Sequence, residues 1–148
     1  MIEGSMDSPA HLTDQEYSRL LTLRAGLRQL LRSSERRAAE AGLTDAQHQL
    51  LLAVRGHSDP DGPSVGEIAG YLSARHHSVV QLIDRTEQLG LVVRRRGEGK
   101  DRRIVRLTLT EAGRRALALL GATHLEELQR LTPLLSVLDA PAPVPQAG

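Results

Sequence analysis

The sequence predicts a mainly α-helical protein with one small β-hairpin, its compact centre flanked by a long helix at each end. Three observations carry that expectation. Helix starts are written at separate places: Thr13-Asp14-Gln15-Glu16 and Ser64-Val65-Gly66-Glu67 fit the S/T-x-x-E capping box, and Thr44-Asp45-Ala46-Gln47 fits its Gln variant. After the last box comes an amphipathic run in which Val79, Leu82, Ile83, Thr86 and Leu89 recur at helical spacing and call for burial. Two strand-like stretches then alternate with period two on either side of a Gly-rich, basic tip.

In chain order, the first helix runs from about Asp14 to Ala41, with Leu20, Leu23, Leu27, Leu30 and Leu31 on one stripe, and Gly42 ends it. The second runs from about Asp45 to Arg55 and carries Leu50, Leu51 and Val54. His57 to Pro63 is a turn-rich loop. A short third helix, Val65 to Leu72, places Val65, Ile68, Ala69 and Leu72 on one face and leads through Ser73-Ala74 into the amphipathic run. On that fourth helix His77, Ser78, Gln81, Arg85 and Gln88 fall opposite the apolar stripe, and all can hydrogen-bond to bases or phosphates. Gly90 suits the left-handed position that stops a helix. Leu91 and Val93 alternate with Val92 and Arg94 on the first strand, and Val105, Leu107 and Leu109 alternate with Arg106 and Thr108 on the return strand. Thr110 caps a last long helix, Glu111 to about Leu131, bearing Leu117, Leu120, Leu125, Leu128 and Leu131; Thr132-Pro133 restarts a short helical turn through Leu138. A helix exposing donors beside a basic hairpin is the layout of a winged helix-turn-helix.

The 148 residues fit one domain, 13–139, in which 44–110 form the winged helix-turn-helix and 13–42 and 111–139 the terminal helices. Residues 1–12 read as a disordered lead, with Met1 to Ser5 resembling an expression remnant, and the Pro-rich 140–148 as a disordered tail. With 40% apolar and 25% charged residues the composition is that of a soluble globular protein. No apolar run is long enough to span a membrane and no secretory leader opens the chain, so a cytoplasmic protein is expected. Absent cysteine removes disulfides, thiolate metal sites and thiol redox sensing.

Net charge is only +1, but seven basic and two acidic residues lie between Arg94 and Arg106, leaving the remainder acidic. A basic patch on an acidic body suits a polyanion bound at one place. The only aromatics are Tyr17 and Tyr71, so there is no stacking platform for single strands or RNA bases. Double-stranded DNA is the nucleic acid that fits. The candidate DNA-binding residues are Arg75, His76, His77, Ser78, Gln81 and Arg85 on the helix, and Arg95, Lys100, Asp101, Arg102 and Arg103 on the hairpin.

Signals for other chemistry are weak. Gly62-Pro63-Ser64-Val65-Gly66 matches G-x-S-x-G, but no strand can precede Ser64, which serves better as a helix cap. Gly97-Glu98-Gly99-Lys100 lacks the further glycine and following helix of a phosphate loop. His76 and His77 are adjacent and point apart, and His11, His48, His57 and His124 lie on separate elements with no ligand-like spacing. Neither metal nor cofactor is expected. The end helices carry more leucine than a small winged helix covers, which calls for a two-fold homodimer with Leu20, Leu23, Leu27, Leu117, Leu120 and Leu128 at its core.

The chain resembles the MarR family of bacterial transcription regulators. Asp101-Arg102-Arg103 followed by Leu109-Thr110-Glu111-Ala112-Gly113 is similar to the family's D-x-R…L-T-x-x-G signature, and Val79 through Val92 to its V-x-x-x-[IV]-D-R-L-E-x-x-G-L-[IV]. The order of elements is similar from about Asp14 to Leu131. Three departures stand out: Ser73 and Arg75 occupy the turn and cap where the family has Gly and Ser or Thr, Thr86 replaces a Leu, and the segment after Thr132 is short. The resemblance implies a homodimeric regulator on a pseudo-palindromic operator, often released by a small molecule held between dimerisation helices and winged helix. A winged helix that binds protein instead of DNA is the alternative.

Overall fold

The computed structural model describes residues 11–97 and 102–139. Six helices and a two-stranded antiparallel sheet follow in the order α1 (Asp14–Glu40), α2 (Asp45–Gly56), α3 (Val65–Leu72), α4 (His76–Gln88), β1 (Val92–Arg96), β2 (Val105–Leu109), α5 (Glu111–Ala118) and α6 (Gly121–Asp139). This is a winged helix-turn-helix carried on a pair of terminal helices. All three capping boxes form: Thr13, Thr44 and Ser64 each accept from the backbone N–H three residues on, and Glu16, Gln47 and Glu67 reach back. Those backbone hydrogen bonds hold the Glu16 and Glu67 carboxyls below the usual carboxylate range, because they favour the charged form.

The core lies where α2, α3, α4, α5 and the sheet converge, with Leu50, Leu51, Ile68, Ile83 and Leu107 fully buried. Thr86 joins them: its Oγ1 donates to the Leu82 carbonyl at 2.7 Å, so a hydroxyl in place of the larger side chain is satisfied inside its own helix. In the hairpin Val92 pairs with Leu109 and Arg94 with Leu107, so Val92 and Arg94 share the covered face and Val93 stands on the other. Two glycines are required by close approach. A Cβ on Gly62, at φ +89°, would meet the Leu107 carbonyl oxygen at 1.9 Å, and one on Gly113 the Leu91 carbonyl oxygen at 2.0 Å. The L-T-x-x-G stretch thus has a physical role. Thr110 Oγ1 accepts from Gly113 N–H and donates to the Gly90 carbonyl, and Gly113 lets α5 close on the start of the hairpin.

Four expectations need correction. The last helix is not one rod: it breaks after Ala118 and restarts at Gly121, with Leu120 turned into the core. It then runs through Pro133, where a new turn was expected. One lost backbone hydrogen bond is tolerated there because α6 lies against α1, close enough for Leu134 to fill the space beside Gly26. Leu89 is exposed instead of completing the buried stripe of α4, since the helix ends at Gln88 and the chain turns away through Gly90 at φ +74°. Leu117 and Leu120 were assigned to a dimer core, yet each is buried within its own chain, 8% and 4% exposed. Leu117 faces the core from α5 itself, and Leu120 from the junction before α6.

Candidate nucleic-acid interface

Helix α4 begins without a side-chain cap. Arg75 holds the N-cap position, and Ser73 is the C-cap of α3 in a left-handed conformation, φ 48°, so it does not cap α4. A glycine would take that backbone at no steric cost, which accounts for Gly being usual there. The first turn of α4 therefore presents its free N–H groups and the side chains of Arg75, His76, His77 and Ser78 outward, all exposed. Gln81 and Arg85 continue the same face one and two turns on. Val79, Ile83 and Thr86 anchor the opposite face and fix the rotation of the helix.

The hairpin arginines divide into two kinds. Arg94 is bound: its backbone N–H donates to Glu87 Oε2 at 3.1 Å, Nη1 to Glu87 Oε1 at 3.0 Å, and Nη2 to Asp84. Partial burial works against its charge, but the hydrogen bond to Asp84 and the charges of Glu87 and Asp84 outweigh it and raise its pKa. Arg106 is bound as well, donating to the Gly62 carbonyl at 2.9 Å and lying 3.5 Å from Asp59 and 4.0 Å from Glu67. By contrast Arg95, Arg96, Arg102 and Arg103 are exposed, and among the described residues none of their side chains has a hydrogen-bond or ion-pair partner. The same holds for Arg75, His76, His77, Ser78, Gln81 and Arg85. Lys100 and Asp101 lie outside the described residues.

Two surfaces thus carry unpaired side-chain donors, the outer face of α4 and the free arginines of the hairpin. Arg96 belongs with the second group and was missed; its place beside Arg95 in an unbroken Arg94-Arg95-Arg96 run gave no sign of which were bound. Arg94 and Arg106, counted in the basic patch, hold the fold together. Only the positions of Asp84, Glu87, Asp59 and Glu67 distinguish them.

Ser64 has no nucleophile geometry. Its hydroxyl accepts from Glu67 N–H at 3.2 Å, and neither nitrogen of the nearby His57 faces it: Nδ1 meets Tyr71 Oη at 2.7 Å and Nε2 meets Glu67 at 3.1 Å. Among the described residues no group of three or more His, Asp or Glu side chains has the arrangement of a metal site. No helix among them is long and apolar enough to cross a membrane. A cleft of about 670 Å³ opens between the C-terminal end of α1 and the α5–α6 junction, lined by Arg36, Arg37, Glu40, Leu119 and Thr123 among others. Arg37 crosses it to Thr123 at 3.2 Å and Glu126 at 2.7 Å.

The MarR family model matches residues 41–104. No curated protein matches the sequence. Among solved structures, AbsC, a MarR family transcriptional regulator from Streptomyces coelicolor, is similar at 24% identity and a TM-score of 0.66, over 90% of this chain and 86% of that one. S. aureus MepR, solved as a DNA complex, is similar at 20% identity and a TM-score of 0.60, over 83% of this chain and 85% of that one. The YusO protein from Bacillus subtilis is similar at 25% identity and a TM-score of 0.57, over 88% of this chain and the whole of that one.

Proposed function

With residues 41–104 a MarR-family segment set in a winged-helix fold, we propose that the protein is a dimeric, DNA-binding transcription regulator, a repressor released by a small-molecule effector. The observation that carries this reading is that α4 and the hairpin both expose donor side chains without partners, while every other hairpin arginine described is bound by carboxylates. In this reading α4 lies in the major groove. His77, Ser78 and Gln81 face base edges, Arg75 and His76 stand at the helix start, and Arg85 grips a phosphate. Arg95, Arg102 and Arg103, with Lys100, reach the minor groove or its phosphates, while Asp101 fixes the geometry of a nearby arginine. The DNA complex of S. aureus MepR supports the partner class.

A single head offers few phosphate contacts. Two heads about 34–36 Å apart match a pseudo-palindromic operator. The second chain in this reading covers Leu20, Leu27 and Leu128, which are 40%, 36% and 65% exposed, together with Leu23. Leu117 and Leu120 take no part. The effector site is the cleft between α1 and the α5–α6 junction, and the protein works in the cytoplasm. The test is a gel shift on DNA from upstream of its own gene at two salt concentrations. A complex that weakens steeply as salt rises is expected. No shift at low salt would leave the winged helix as a protein-binding module.

A further inference from the structure

The buried face of α2 carries one ionisable side chain among its leucines. His48 is 2% exposed, and its Nε2 lies 2.8 Å from Nε2 of His124 on α6. The ring centroids are 5.1 Å apart and the planes differ by 23°. That separation is near the greatest the ring sizes permit at this N···N distance, so the nitrogens point at each other edge to edge. His48 Nδ1 is also buried and has no hydrogen-bond partner. The sequence concealed this pair, since its members are 76 positions apart.

A hydrogen bond between two imidazole nitrogens holds one proton, with one nitrogen donating and the other bare. The burial of Nδ1 decides which. A proton there would leave an unsatisfied N–H inside the core, which is worse than a bare lone pair. His48 therefore donates from Nε2–H to Nε2 of His124, and His124 keeps its proton on Nδ1.

We propose that this contact is a proton-operated latch between the winged helix-turn-helix and the terminal-helix arm, closed by one shared proton and opened by a second. A second proton on the pair takes up the lone pair that accepts from His48. Two N–H groups then face each other. Restoring the bond would require His48 to move its proton to Nδ1, where nothing accepts it. Either the bond between α6 and α2 is broken, or it is kept at the cost of an unpartnered N–H in the core, and both outcomes weaken the contact.

The surroundings set the direction. Burial and then the neighbouring His124 lower the His48 pKa from the ordinary 6.5, and Glu127 on α6 and Asp45 on α2 oppose them more weakly. From α1, Arg37 is held by Thr123 and Glu126 beside His124. The remaining neighbours of α2 meet it with apolar core: Ile68 of α3, Val79 and Ile83 of α4, Leu107 of β2 and Leu117 of α5. A group whose folded pKa is lowered binds more protons unfolded, so its contribution to stability is present above pH 6.5 and is lost as pH falls below it.

The latch involves no DNA, so its test stands apart from the DNA-binding reading. His124→Gln keeps an amide oxygen able to accept from His48 and removes the neighbouring ring that helps to lower the His48 pKa. Between about pH 7.5 and 5.5 the unmodified protein should lose roughly 2–4 °C more in unfolding midpoint than the variant. Imidazole ¹⁵N spectra at the higher pH should show His48 protonated at Nε2 and His124 at Nδ1. Equal losses in the two proteins, or a proton on His48 Nδ1, would overturn the latch. If His124→Gln does not fold, the spectra of the unmodified protein decide alone.

Discussion

The winged-helix body and the terminal-helix arm are built from similar amounts of leucine but use it differently. In the body Leu50, Leu51 and Leu107 are wholly covered by their own chain. In the arm α1 and α6 pack together, yet Leu20, Leu21, Leu31, Leu125, Leu128 and Leu135 stay exposed, and Leu30 is the only buried leucine described on α1. The body closes a core within one chain, whereas the arm leaves most of its leucines uncovered. Burial of a leucine in one chain therefore reports folding, and its exposure in this arm marks the surface assigned to a second copy.

The sharpest way to break that contrast is in the body. Leu51→Ala should cost about 2–5 kcal/mol in urea unfolding, because the site is fully buried and cannot collapse around the gap. A cost below about 1 kcal/mol would show the core is looser than its burial implies. Next comes the head's outer surface. Arg103→Ala should weaken operator binding by about 1–3 kcal/mol and leave the unfolding midpoint unchanged. Arg94→Ala should do the reverse, lowering stability first, since it removes the side-chain link between β1 and α4. If Arg103→Ala destabilised the fold as Arg94→Ala does, the division into free and bound arginines would be wrong. On α4, Gln81→Ala should relax sequence preference while Arg85→Ala weakens all sequences about equally; competition binding on variant operators separates the two. The smallest effect on folding belongs to the arm. Leu128→Ala should change the stability of the isolated chain by no more than about 0.5 kcal/mol, yet sedimentation should show it shifting toward one-chain mass at concentrations where the unmodified protein is dimeric. A species of one chain's mass at micromolar concentration without any mutation would remove the dimer altogether.

Local rules made most of the fold legible. Capping boxes placed the starts of α1, α2 and α3 at the observed residues, Gly90 lies in the left-handed region as the helix stop requires, and period-two alternation found both strands. What failed depended on tertiary context. Nothing in Leu117 to Gly121 says that the chain bends there and buries two leucines; the leucine spacing alone reads as one amphipathic rod. Likewise Pro133 looks like a stop until Leu134 is seen against Gly26. For the candidate interface, helical periodicity separated the outward donors of α4 from its core stripe. It could not sort the arginines of the hairpin, because their carboxylate partners come from α4, the loop before α3 and α3 itself.

The clamp on Arg94 has a mechanical consequence. Three donors from one residue of β1 reach two carboxylates one turn apart on α4, so the strand is pinned to the helix well below its tip. The described part of β1 is therefore tied to the helix at Arg94, and the spacing between the two at that point is set before any encounter. Little freedom is left to be lost there on docking, which favours affinity. A head tied in this way also cannot adjust its own span at that point. In the proposed dimer, any mismatch between two such heads and a duplex would have to be absorbed elsewhere, by bending of the duplex or by a change in angle where α5 gives way to α6 at Gly121.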